Sequence, residues 1–136
     1  MVDPDAPTPQ TPTEAQIRHF LGSDFFTDFA NFGNVHPLTN NTPAVSGFLQ
    51  PTPPAGSDPH RLVLLSVRYV KITLFFFLLR YVLLLFKQPA GFESQALVNS
   101  TTSVSNFNIS TFAAATKLGN PIAGTFMLVG PDPTTA

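Results

Sequence analysis

The sequence has no cysteine and no tryptophan, and only 11% of its 136 residues are charged. Without cysteine, disulfide bonds, a thiolate nucleophile and sulfur-ligated metal sites are excluded. Seven basic side chains stand against eight acidic ones, a formal net charge of −1. This balance gives no long-range attraction to a nucleic acid or an anionic membrane surface, so we expect no nucleic-acid partner.

Long uncharged apolar runs are also missing. In the most hydrophobic part of the chain, residues 62–86, the apolar pattern is broken by Arg68, Lys71 and Arg80, and the longest charge-free stretch, 72–79, has eight residues. A membrane helix needs about 20 apolar residues. We therefore expect no transmembrane segment and interpret this region as buried strands.

Hydrophobic residues nevertheless make up 43% of the chain and include fourteen Phe, enough for the core of one domain. Alternation of apolar and polar residues predicts a short strand over 17–21, and a second short strand is predicted over 45–48. The apolar run 125–129, which stands between two glycines, predicts a final strand. Most of residues 22–50 is rich in Asn, Thr, Gly and Pro and is typical of loops. The predicted class is mainly β with short helices.

Two short helices are predicted from the signals at their ends. Thr11 is a candidate N-cap, followed by a proline at the first helical position and by Glu14, which completes a capping box. Ser110 is a candidate N-cap for a second helix that ends at Lys117, with a glycine just beyond it.

The most unusual local motif is Asp-Pro-Asp-Ala-Pro at residues 3–7. The prolines impose extended geometry, and the period of two then places the carboxylates of Asp3 and Asp5 on one face. Neighbouring carboxylates serve acid–base chemistry, ligate metals or orient imidazoles. A turn in which each aspartate bonds its own backbone is the alternative.

Two histidines are candidates to bind an anion. An imidazolium offers two N–H donors, and the proline-rich loop 53–59 before His60 forms a preorganised rim, while His19 lies in a predicted strand. The sequence has no G-x-S-x-G, H-E-x-x-H or Gly-rich phosphate loop, and Ser57 and Asp58 are too close to His60 for a catalytic triad. We predict no enzymatic activity, no catalytic residue, no metal site and no cofactor.

Residues 2–7 resemble the D-P-D-x-P motif of the phosphatidylethanolamine-binding protein family. A second family motif, H-R-Y-V followed by an apolar strand, is present in two parts, His60-Arg61 and a segment beginning at Arg80-Tyr81-Val82. Phe112, residues 118–124 and Phe126 also resemble the closing segment of the family.

The chain departs from the family pattern in two places. Removing nineteen residues, 62–80 or 61–79, restores a continuous His-Arg-Tyr-Val, so we interpret 62–80 as an inserted segment, either a retained intron or an extra hairpin. Family chains usually run through several strands before D-P-D-x-P, so we expect a fold that is incomplete at its amino terminus. We predict one domain over 1–130 and a tail over 131–136, and localisation stays open between the cytoplasm and secretion.

The resemblance implies a Greek-key β-sandwich with short peripheral helices and a small anion pocket for phosphate or a phospholipid headgroup such as phosphatidylethanolamine. In this interpretation Asp3 orients the imidazoles, while the two histidines and a tyrosine hydroxyl bind the anion. The alternatives are an inhibitor of a serine carboxypeptidase or of a kinase, and a non-functional product of a mis-spliced gene. The pocket residues that the resemblance implies are Asp3, Asp5, Pro7, His19, Pro53, Pro54, His60 and Tyr81.

Overall fold

The computed structural model describes residues 1–27, 38–58, 81–127 and 129–131. Within these residues the protein is mainly β, with two antiparallel sheets and little helix. The strands are β1 Val2–Asp3, β2 Ile17–Arg18, β3 Phe25–Thr27, β4 Leu38–Asn40, β5 Tyr81–Leu85 and β6 Ala123–Met127, and the helices are one 3-10 turn, Phe92–Ser94, and α1, Ile109–Ala115.

The larger sheet has the strand order β2-β1-β5-β6 and is antiparallel throughout. The short strand β1 lies inside this sheet, because Val2 pairs with Arg18 on one side and with Val82 on the other. The β5–β6 pair is the longest, running from Tyr81 opposite Met127 to the far end of both strands. The acidic motif therefore starts from the middle of a sheet.

Two apolar clusters form the core that the structure describes. The first consists of Val2 and Val82 with partly buried neighbours, and the second surrounds Phe92 and Phe112, whose rings meet edge to face at 6.2 Å between centroids. Phe107 belongs to both clusters and joins them. The two clusters are thus continuous through Phe107.

The predicted helix after Thr11 is wrong. Residues 8–11 form a tight turn instead, in which the backbone N–H of Thr11 donates to the Thr8 carbonyl at 3.2 Å and the two hydroxyls lie 2.8 Å apart. The N–H of Glu14 donates to the carbonyl of Ala6 at 3.0 Å. Because this contact draws the segment back onto the acidic motif, no capping box forms.

The strand predictions between residues 17 and 50 are only partly correct. The first strand is present in shorter form as β2, but the strand predicted over 45–48 is a single bridge between Leu21 and Ser46. Strands β3 and β4, which pair with each other in the second sheet, lie in a region predicted as loop. Their exposed apolar side chains do not alternate with polar ones, so the pattern gives no strand signal.

Helix α1 is confirmed, but its ends differ from those predicted. Its N-cap is Asn108, whose side-chain oxygen accepts from the backbone N–H of Thr111 at 2.9 Å, and Ser110 lies inside the helix. Lys117 lies beyond the helix with φ of 58°. The final strand, β6, begins and ends two residues earlier than predicted.

Several predictions lie outside the described residues. These are the placement of His60, the inserted segment 62–80 and most of the tail after residue 131. In the parts of the chain that the structure describes, no helix has the length and hydropathy needed to cross a bilayer.

The cap of α1 gives a first prediction. Replacing Asn108 by Ala removes the acceptor for the Thr111 N–H, and we expect the free energy of unfolding to fall by about 1 kcal/mol. Ser110→Ala is the matched control, expected to stay within about 0.5 kcal/mol. Urea denaturation followed by circular dichroism measures both, and equal losses would contradict the assignment of the cap.

Gly124 gives a second prediction. A Cβ at this position would lie 3.0 Å from the Leu83 carbonyl oxygen and 3.2 Å from Cδ2 of Leu84. Because the closest atom belongs to a paired backbone, Gly124→Ala is expected to destabilise the fold by about 1–3 kcal/mol. Gly47→Ala, with nothing within 4 Å of the added carbon, is the control and should be close to neutral in the same denaturation experiment.

Candidate functional site

The acidic motif continues directly from β1 into the interior. Asp3 and Asp5 expose only 2% and 3% of their surface, and Ala6 beside them is also buried. A carboxylate oxygen of Asp3 accepts from the backbone N–H of Asp5 at 2.9 Å. The turn in which an aspartate bonds the nearby backbone, stated above as the alternative, is therefore present at Asp3. The carboxylate of Asp3 nevertheless lies inside the protein.

His19 is brought next to the motif by strand pairing. Asp3 pairs with Ile17, and His19 lies two residues further along, so Asp3 and His19 share one face of the sheet as diagonal neighbours. The imidazole is 4% exposed, and its Nδ1 lies 2.9 Å from the carbonyl oxygen of Leu49. Since a carbonyl only accepts, Nδ1 carries a proton, and Nε2 accepts in the neutral ring and donates in the imidazolium.

Tyr81 occupies the adjacent position on the other side of β1. Val2 pairs with Val82, and the antiparallel register places the next position along β5, Tyr81, beside Asp3. Positions 19, 3 and 81 are far apart in sequence, but position 19 directly follows β2, and positions 3 and 81 lie on the next two strands of the sheet, β1 and β5. The larger sheet itself brings these predicted site positions together.

The predicted proline rim lies beside the segment that follows the motif. The loop turns at Ser57, whose N–H and hydroxyl both donate to the Pro54 carbonyl, at 3.1 and 2.8 Å. The Gln10 side chain donates to the Asp58 carboxylate and so links the loop to the chain beyond Pro7. Pro7 and Pro53 are half-buried and Pro54 is exposed.

Arg18 is a buried residue that the sequence analysis did not select. It is 1% exposed, its two terminal nitrogens donate to the carbonyls of Ser103 and Thr102 at 3.2 and 2.9 Å, and its guanidinium lies 5.2 Å from the centre of the Phe107 ring. Burial lowers the pKa of Arg18. Because side chains alternate along a strand, Arg18 faces away from His19 and fixes β2 from behind. The only sequence signal for Arg18 was the presence of a cationic residue in a predicted strand whose other face is apolar.

The amino group of Met1 is a second buried basic group near β2. It donates to the Phe20 carbonyl at 2.8 Å. Burial, and then the nearby positive charge of Arg18, lower the pKa of this amine to about 6. At neutral pH the amine is mostly uncharged and adds little positive potential beside His19.

Asp24 forms a separate polar cluster that links the two sheets. Its backbone N–H donates to the Gln88 side-chain oxygen at 2.9 Å, and the Gln88 amide donates back to the carboxylate at 2.7 Å. Thr42 and Ser23 donate to the second carboxylate oxygen. Hydrogen bonds, first from Gln88 and then from Thr42, lower the pKa of Asp24. Because the polar groups of this cluster bind one another, we assign the cluster a structural role.

The chemistry available at positions 3, 5 and 19 is hydrogen bonding. Two buried carboxylates accept, and an imidazole donates from one or both nitrogens. Among the residues that the structure describes, no group of three or more His, Asp or Glu side chains is placed to hold a metal ion.

Comparison with known proteins identifies the family. The family model described as phosphatidylethanolamine-binding protein matches residues 1–73, which is more than half of the 136 residues. The match includes the acidic motif, His19 and the proline rim, while Tyr81 lies beyond it. No curated protein matches the chain. Membership of this family supports a non-catalytic fold that binds small ligands, and the chain belongs to the phosphatidylethanolamine-binding protein family.

Proposed function

We propose that the protein binds a small phosphate-bearing ligand at the site built on β2, β1 and β5. The observation that carries the proposal is the adjacency of three motif positions: His19 directly after β2, Asp3 on β1 and Tyr81 on β5. Family membership supports a binding function without catalysis.

In the proposed complex His19 donates to a phosphate oxygen through Nε2. Its Nδ1 is held by the Leu49 carbonyl, so the ring is oriented before the ligand arrives and little side-chain entropy is lost on binding. A hydrogen bond from an imidazolium to a phosphate is charge-assisted and stronger than a neutral one. The Tyr81 hydroxyl and His60 provide further donors in this proposal.

The buried carboxylates of Asp3 and Asp5 select among phosphate ligands. A bare phosphate beside two carboxylates meets repulsion, whereas a ligand that also carries an ammonium group gains an opposite charge. We therefore expect phosphorylethanolamine, the headgroup of phosphatidylethanolamine, to bind more tightly than inorganic phosphate. Titration calorimetry measures the affinity for each of the two compounds. Co-sedimentation with phosphatidylethanolamine vesicles then shows whether the protein binds the headgroup in a membrane as well as the soluble compound.

Two substitutions of His19 test the donor role. In His19→Asn the amide nitrogen lies near the position of Nδ1 and keeps the bond to Leu49, but the Nε2 donor is lost. In His19→Gln the amide lies near Nε2 instead. A bond to a charged group contributes about 1.5–3 kcal/mol, so His19→Asn should weaken phosphorylethanolamine binding by roughly 10-fold or more, and His19→Gln by less.

The same calorimetric titrations measure this difference, and thermal unfolding checks that both variants fold. Wild-type affinity in His19→Asn would contradict the role of Nε2. Absence of any saturable binding to the wild-type protein, by either ligand, would contradict the proposed function itself.

Asp3→Asn tests the selection between ligands. The amide oxygen can still accept from the Asp5 N–H, but the negative charge is gone. We expect the preference for phosphorylethanolamine over inorganic phosphate to fall by about 10-fold, because one charge that attracts the ammonium and repels bare phosphate is removed. Asp58→Asn, an exposed carboxylate of the proline loop, is the control. An equal loss of affinity for both ligands in Asp3→Asn would show that the charge of Asp3 does not discriminate between them.

A further inference from the structure

A cavity lies on the face of the larger sheet opposite the candidate anion site. It has a volume of about 600 Å³ and lies between β5 and α1, with Leu84 and Phe86 on one wall. Leu84 packs against the cluster of Val2 and Val82, the face of the sheet turned away from Asp3. We call this cavity the β5–α1 groove, and none of its lining residues belongs to the candidate anion site.

The helical wall of the groove combines one branched apolar residue, Ile109, with the small residues Ser110, Ala113 and Ala114. Ile109 and Ala113 are one turn apart on α1, and Ala114 follows on the same side. After the helix, the Leu118 N–H donates to the Ala113 carbonyl at 2.9 Å. The chain then turns back through Gly119, at φ of 70°, so that this segment closes one end.

The groove is chemically amphipathic. Its walls are mainly aliphatic and aromatic, and among the described residues that line it Lys117, an exposed side chain, carries the only charge. A ligand with an apolar chain and a negative head complements both features, whereas a cationic head would meet Lys117. Cavities of about 300–1,000 Å³ accommodate small organic ligands, and this groove falls within that range.

We propose that the β5–α1 groove binds a single-chain alkyl carboxylate, with the alkyl chain between β5 and α1 and the carboxylate paired with Lys117. Charge complementarity favours an anionic ligand, because Lys117 is positively charged and no acidic residue is among the described residues of the lining. The groove is a second site, independent of the phosphate-bearing ligand proposed for the opposite face.

Titration calorimetry of the full chain with octanoate, decanoate and decyltrimethylammonium, each below its micellar concentration, tests the proposal. We expect saturable binding of decanoate, an affinity about fourfold higher for each added methylene, and an affinity at least 10-fold lower for the cation of equal chain length. Equal binding of the two decyl compounds would overturn the assignment to a carboxylate, and no saturable heat with decanoate would overturn the site.

A matched pair of helix variants locates the ligand. Ala114 lines the groove and Ala115 does not, yet both are exposed on α1 and leucine suits a helix at either position. Ala114→Leu fills the groove and should weaken decanoate binding at least 10-fold, while Ala115→Leu should change it by less than twofold. Equal effects of the two substitutions would place the ligand elsewhere.

The role of Lys117 is tested by Lys117→Met, which keeps an apolar stem and removes the charge. The preference for decanoate over decyltrimethylammonium should then disappear, while Lys87→Met, an exposed lysine outside the lining, should keep it. A preference unchanged in Lys117→Met would refute the ion pair. Circular dichroism confirms that each variant is folded before it is titrated.

Discussion

The pairing of the two-residue strand β1 on both of its edges is the constraint on which the site depends. Val2 lies between Arg18 and Val82, and the same register carries Asp3 to a position between Ile17 and Tyr81. Strand pairing has a period of two, so a slip of one residue would turn Asp3 to the opposite face and separate it from His19. The burial of Val2 and Val82 in one cluster opposes such a slip.

A buried cation stabilises this arrangement from the other face. The charge of Arg18 is met by the carbonyl oxygens of Ser103 and Thr102 and by the face of the Phe107 ring. These contacts hold the loop before α1 against β2, and the N–H of Phe107 adds a 2.7 Å bond to the Gln16 carbonyl. Rigidity of β2 is what keeps His19 in place, since His19 follows Arg18 directly.

The sequence singled out Asp3, Asp5 and His19 as site residues, and their binding role stays a prediction. The acidic motif and His19 have distinctive residue types, and the structure places them together. The helix predicted at Thr11 failed because a local capping pattern competes with the contact from Glu14 to Ala6, which is set by the fold and has no sequence signature. Strands β3 and β4 were missed for a related reason: exposed apolar residues give no alternation to detect.

The cap of α1 also affects how this region tolerates conversion of asparagine to aspartate. Asn108 caps the helix through its side-chain oxygen alone, and aspartate is an equally good capping residue. Hydrolysis of the Asn108 amide would therefore keep the bond to Thr111 and add a negative charge near the positive end of the helix dipole, where it is favourable. Conversion of Asn108 to aspartate, without rearrangement of the backbone to isoaspartate, would leave the helical wall of the β5–α1 groove in place.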